Sequence, residues 1–153
     1  MSHRLGTLFA LFALLLAPLA VPSPASAATP EQTYANQAVR ATNAVRANHD
    51  RGAVKKNACL RKAAAQQARK MAAQQRIFHQ DLGPLLQRCG MSMVGENVAS
   101  GYPTGRAVVR QGWMKSPGHR ANILNGQFDR VGIAARRGDN GQWYAAQVLG
   151  RVA

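Results

Sequence analysis

The spacing of apolar residues changes along this chain, and that change narrows its fold more than any other feature. Tyr34, Ala38, Ala41 and Val45 recur every three or four positions, as do Leu60, Ala64, Ala68 and Met71. This is the stripe of a helix with one buried face. Near the other end, Val131 to Arg136 and Trp143 to Leu149 read as strands. Asp139, Asn140 and Gly141 lie between them, and an Asn-Gly pair accommodates the positive φ angles of a type I′ turn. Helices first and an antiparallel strand pair after them predict an α+β domain, with helices packed against a small sheet.

Local signals refine this reading. Thr29 is placed to cap a first helix over 28–52, Pro30 suits its first position, and Gln32 completes a capping box. Gly52 is expected to end it. Asn57 is expected to cap a second helix over 58–76, rich in the helix formers Ala, Gln, Lys and Arg. Gly83, Pro84 and Gly90 predict an irregular segment from Phe78 to Ser92. Met93 to Ala99 reads as a short strand, and Gly101 and Pro103 as a turn. Thr104 then caps a third helix to about Lys115. Ser116 and Pro117 interrupt it and restart it as a short helix through Leu124.

Residues 1–27 read as an export signal. His3 and Arg4 are positive, Leu8 to Ala17 is unbroken apolar sequence, and Ala25, Ser26 and Ala27 supply the small residues that signal peptidase needs. Cleavage after Ala27 is expected, leaving 28–153 as one domain. The competing expectation is an uncleaved anchor, but spanning a bilayer takes about 20 apolar residues. No later stretch is long enough to cross, so the exported part is expected to be soluble and monomeric.

The whole chain carries a net charge of +14, and Arg4 is the only charged residue of the signal, so the exported part carries +13. Such a field attracts polyanions. Outside the cell these are anionic wall polymers, acidic glycans or lipid headgroups. Nucleic acid is the less expected partner, since no RNA- or DNA-binding motif accompanies the charge. The same charge would also serve simply to keep a small secreted domain in solution. Cys59 and Cys89 are expected to pair in an oxidising compartment. Closing a loop of this length contributes about 3–4 kcal/mol in the chain-entropy model.

The exported part holds three histidines, His49, His79 and His119, and two glutamates, Glu31 and Glu96. Glu31 falls in a helix first turn, where its charge suits the dipole. His49 falls at a polar helix end. His79, Glu96 and His119 remain, each in a Gly-rich, irregular or cap position. Two imidazoles and a carboxylate are a chemically suitable set for zinc with an open water position. Their spacing matches no local metal motif, and three unrelated polar residues would look the same. Ser116 before Pro117 reads as a helix start. That places His119 in a first turn, where the helix dipole disfavours imidazolium.

A set of short stretches occurs in a fixed order: Ile77-Phe78-His79, Gly95 to Ala99 with Glu96 and Asn97, Gly112-Trp113-Met114, Ser116 to Leu124, and Val131-Gly132-Ile133. Asn43 and Arg46 precede them as an Asn-x-x-Arg pair. Together they resemble the bacterial branch of the CAP superfamily, the group of cysteine-rich secretory and pathogenesis-related class-one proteins, over roughly residues 34–150. The resemblance implies an α-β-α sandwich with a central cleft. In that cleft two His and two Glu face each other, and the histidines can hold a divalent metal such as zinc. By position, His79 and His119 match the two histidines and Glu96 the first glutamate. Ser116 stands where the second glutamate is expected. That departure bears on any activity needing two carboxylates. Asn97 is expected either to bond neighbouring backbone and hold Glu96 toward the cleft or simply to serve a turn. Trp113 is expected in the core or as a cleft wall, and Arg120 and Asn122 to fix the short helix on the sheet.

Three functions follow as expectations: an extracellular module binding an anionic ligand or wall polymer; a zinc-dependent hydrolase with Glu96 as ligand or general base; and a secreted nonspecific nucleic-acid binder. Lipid binding is implied by parts of the family, but no apolar tunnel motif is evident.

Overall fold

The computed structural model describes residues 27–153, so the expected export signal, apart from Ala27, lies outside the described residues. Helix α1 (Pro30–Ala47) opens as the sequence predicts. Thr29 Oγ1 accepts from the Gln32 amide at 3.2 Å, and Gln32 Oε1 accepts from the Thr29 amide at 2.9 Å. It stops five residues before Gly52. Arg46 turns inward at this end and donates from Nε to the Gly52 carbonyl, so the chain must fold back over the helix end. Asp50 takes a positive φ of 53° to do so.

Two residues, β1 (Lys55–Lys56), precede α2 (Ala58–Gln74), which Asn57 caps through its side chain. The segment expected to be irregular contains a helix, α3 (Gly83–Cys89). Its presumed breakers act as start and stop signals: Pro84 sits in the first turn, where no donor is needed, and Gly90 ends the helix at φ 60°. Cys89 at its end is bonded to Cys59 in the first turn of α2, with Cα atoms 5.6 Å apart.

Strand β2 (Met91–Ser100) leads to α4 (Gly105–Ala107), capped by Thr104. The expected continuous third helix is not formed. A wider π turn follows over Val108–Gly112, then a 3₁₀ turn over Trp113–Lys115. This uneven winding brings neighbouring Val108 and Val109, and then Trp113, all into the core. Gly105 permits the start: a Cβ there would overlap the backbone of Tyr34 and Ala38 in α1. Helix α5 (Pro117–Leu124) follows, then β3 (Arg130–Arg137) and β4 (Trp143–Val152).

The sheet runs β1-β3-β4-β2, with β1 parallel to β3 and the other pairs antiparallel. Between β3 and β4 only Gly141 has positive φ, at 75°. The type I′ expectation is therefore corrected, since that turn needs positive φ at two positions. Asn140 instead uses its side chain, accepting from the Gln142 amide and donating to Tyr144 Oη.

Two apolar layers flank β4, the central strand. Ala145 and Leu149 face α1, Val109, Trp113 and Ile123. Tyr144, Ala146 and Val148 face Leu60, Ala64 and Met71 of α2 and Leu85 of α3. The result is an α-β-α sandwich in which a fully buried Leu or Ile contributes about 1.5–3 kcal/mol. Gly132 sets the spacing of the second layer, because a Cβ there would overlap the α2 backbone at Leu60 and Arg61.

Candidate functional site

The site forms along β2, an edge strand, where Glu96 and Asn97 point to opposite faces of the sheet because strand side chains alternate. Glu96 shares the face of Val94 and Val98, toward α2 and α3. There its carboxylate meets the segment that follows α2. Oε2 lies 2.8 Å from His79 Nδ1 and 3.2 Å from the Gln80 amide, and Oε1 accepts from Gln80 Nε2 at 2.6 Å. The Glu96 side chain is 1% exposed while that of His79 is 56% exposed. A shielded carboxylate thus orients an imidazole that reaches solvent.

Asn97 faces the other layer and is wholly buried. It does not contact the Glu96 carboxylate. Its Nδ2 donates to the His119 carbonyl at 3.1 Å and to Gln147 Oε1 at 2.8 Å. Gln147 in turn donates to Thr42 of α1 at 2.9 Å. Asn122 completes the set, donating to the Glu96 carbonyl at 3.0 Å and to Asn97 Oδ1 at 2.9 Å. Asn97 makes no hydrogen bond to the Glu96 side chain; its partner Asn122 bonds the Glu96 main-chain carbonyl. Asn97 positions α5 and with it His119. The expected role of Asn122 against the sheet is realised. Arg120 instead lies 3.2 Å from His49 Nε2 at the surface.

His79 and His119 approach the same edge from opposite layers. Burial lowers the pKa of His119 from the ordinary histidine value, and the charge of His79 lowers it further. His119 is therefore held toward its neutral form. Ser116 occupies the N-cap position of α5, but its side chain makes no capping hydrogen bond. Pro117 and the main-chain bond from the Arg120 amide to the Ser116 carbonyl, at 2.8 Å, begin the helix. Trp113 is fully buried in the α1 layer, so it supports the site from the core and forms no surface wall. Its Nε1 has no hydrogen-bond partner.

Three residues of this network escaped the sequence reading. Gln80 gave no signal beyond its place after His79. Gln147 is a polar residue inside the apolar run Tyr144–Leu149, and that interruption was readable. Thr42 is a polar position on the buried face of α1, one turn before Arg46.

No group of three or more His, Cys, Asp or Glu converges for a metal among the described residues. Both oxygens of Glu96 are engaged by His79 and Gln80. What remains as donor is the His79 ring edge opposite Nδ1, together with His119. An imidazole held through one nitrogen by a carboxylate is how proteins prepare the other nitrogen for a metal, so the donor chemistry fits a two-imidazole site with water in the other positions.

The α-β-α sandwich and the ordered motifs that build it are those of a cysteine-rich secretory protein domain. Residues 39–149 match the cysteine-rich secretory protein (CAP) family, and the chain belongs to it. It is 29% identical over 133 residues to the uncharacterised protein YkwD of Bacillus subtilis, covering 82% of this chain and 51% of that protein. Among solved structures it is similar to an extracellular SCP-domain protein of Bacillus anthracis, with 28% identity and a TM-score of 0.69, covering 83% of this chain and 45% of that one. The fold is also that of a cysteine-rich secretory protein of Staphylococcus aureus, at 21% identity and a TM-score of 0.66, covering 80% of this chain and 40% of the other. The chain thus spans about half the length of the Bacillus relatives it matches. Among the described residues no helix is long and apolar enough to cross a membrane.

Proposed function

We propose that this protein is an exported, non-catalytic module that binds an anionic ligand at the cell wall. The observation that carries this reading is the state of Glu96. Its carboxylate is 1% exposed and holds three hydrogen bonds. A general base needs its oxygen within reach of the water it deprotonates, and this one is turned inward to orient His79. With Ser116 in place of a second carboxylate, the cleft offers imidazole edges and no free acid. The excess of 20 Lys and Arg over 6 Asp and Glu supplies attraction for an anion. The leader-like residues 1–27 and the extracellular description of the Bacillus anthracis relative support export.

Retention on insoluble cell-wall material, measured against rising salt, tests this. Retention that falls steeply as salt shortens the screening length is expected. Binding indifferent to salt, or none, would reject the reading. Duplex DNA serves as the comparison, and is expected to bind only weakly and without sequence preference.

A second reading has its own observation. The Glu96–His79 pair and a His119 held toward neutrality suit a divalent metal such as zinc on the two imidazoles, which would polarise a bound water. Glu96 then orients a ligand and is not itself one. Calorimetry with zinc on the native protein, His79→Ala and His119→Ala tests it. One-to-one binding lost in both variants is expected, and binding indifferent to both would remove the metal.

A further inference from the structure

The two edges of the sheet are treated differently. At β2 the outward carbonyl of Glu96 is satisfied by Asn122. At β3 the ladder with β1 stops after Val131, whose carbonyl accepts from the Asn57 amide at 2.9 Å. The chain then leaves to begin α2. Peptide groups of alternate residues face the same side of a strand, so Ile133 and Ala135 turn their N–H and C=O outward beyond the end of β1. Among the described residues no turn, loop or cap hydrogen bond reaches these groups.

Ile133 and Ala135, only 3% and 5% exposed, lie at the bottom of a groove of about 660 Å³ between α1 and α2. Ile133, Ala134, Ala135 and Arg136 all line it. Successive strand residues face opposite layers, so a cavity touching all four must abut the strand's edge. A second cavity of about 280 Å³ shares Ala35, Asn36, Arg61 and Ile133 with it and prolongs the groove toward β1. The walls are low because Ala35 and Ala65 face in from the helices.

We propose that this groove receives an extended acidic peptide segment of a partner protein, which pairs with Ile133–Arg137 as a fifth strand. Five residues of edge span about 16 Å. Main-chain bonds to Ile133 and Ala135 hold the guest, and its alternate side chains reach the rim. That rim carries Lys56, Arg61 and Arg69 besides Arg136, which lies 3.7 Å from the one acidic residue, Glu31, and this positive excess selects an acidic guest. Other occupants fit the charge less well. A second copy would bring its own strongly basic surface against this basic rim. Residues 1–26 contain no acidic side chain. None of the cleft residues His79, Glu96 and His119 lines the groove, so this site is separate from the cleft.

The test selects binders from a displayed random nonapeptide library on the exported protein and follows amide hydrogen exchange with the strongest one. Acid-rich binders that slow exchange at Ile133 and Ala135 at least tenfold are expected. Reversing two rim charges together, Arg69→Glu with Arg136→Glu, should weaken binding at least tenfold. N-methylation of alternate amides of the peptide should abolish it. Ala135→Pro removes one edge donor without touching the ladder to β4; if that variant does not fold, the methylated peptide carries the same question. The proposal is overturned by a selection without enrichment, by binders that are not acidic, or by binders that leave those two amides unprotected. It is equally overturned if protection grows with protein concentration alone, which would assign the edge to a second copy, or if inorganic polyphosphate protects the same amides as well as the peptide.

Discussion

Arg46 Nη1 donates to the main-chain carbonyl of Ile123 at 2.7 Å, joining α1 to a residue 77 positions later. The same guanidinium reaches the carbonyls of Gly52 at 2.6 Å, Asn125 at 2.8 Å and Phe128 at 3.0 Å. A buried cation with no carboxylate is held here by four neutral carbonyls, and it fixes the end of α5 and the turn into β3. Nearby, Asn43 exchanges two hydrogen bonds with the main chain of Val54. The Asn-x-x-Arg pair is therefore a device for closing two loops over the end of α1.

Arg46→Ala should strip four buried carbonyls of their donor and cost about 3 kcal/mol or more. Arg46→Lys should recover little, since a single ammonium cannot reproduce a planar fork. Urea denaturation of both variants measures this, and a lysine variant as stable as the native protein would refute the geometric argument.

Glu96→Gln places an amide where three donors converge. One of its two terminal atoms is itself a donor, so it must either face the donors from His79 and the Gln80 main chain or force the Gln80 side-chain amide to turn over and accept. A loss of about 1–3 kcal/mol is expected. If zinc binds the imidazoles, its affinity should fall about 10–100-fold, and unchanged affinity would sever Glu96 from that site.

His119 gives a pH dependence whose sign is fixed. Burial and His79 lower its folded-state pKa below the unfolded value. The unfolded chain then binds the proton more readily, so acid favours unfolding. The contribution is fully present above the ordinary histidine value and is lost as pH falls through the lowered one. The native protein should therefore lose more stability between pH 7.5 and 5 than His119→Gln does. Equal losses in the two would remove His119 as the source.

Gly132→Ala is expected to be among the most damaging single changes. The added methyl meets main-chain atoms of Leu60 and Arg61, which cannot move aside without shifting α2 as a whole. Gly105→Ala should act likewise at the α1–α4 contact. By comparison, Gly52→Ala meets nothing within 4 Å and should be near neutral. Thermal melts of the three order these sites.

Replacing Cys59 and Cys89 by alanine together should cost about 3 kcal/mol, the loop-closure value for a crosslink of this span. Dithiothreitol should lower the melting temperature of the native protein and leave that of the double variant unchanged.

The sequence by itself determined the helix starts at Thr29, Asn57 and Thr104, the strand content of the C-terminal third, and the family motifs. These rest on hydrogen bonds within about three residues or on side-chain periodicity, both of which a linear reading contains. It read the α3 segment as irregular because Pro84 and Gly90 are equally breakers and caps until their neighbours are known. It missed the π turn because that winding answers to Gly105 lying against α1. The site was legible as residues and not as an arrangement. That Glu96 and Asn97 face opposite layers followed from strand alternation. Only the tertiary structure put His79 beneath one layer and His119 beneath the other, through Gln80, Asn122, Gln147 and Thr42, with contacts spanning 16 to 105 positions. The open edge of β3 is of the same kind, since whether a strand has a neighbour depends on where β1 stops and α2 begins.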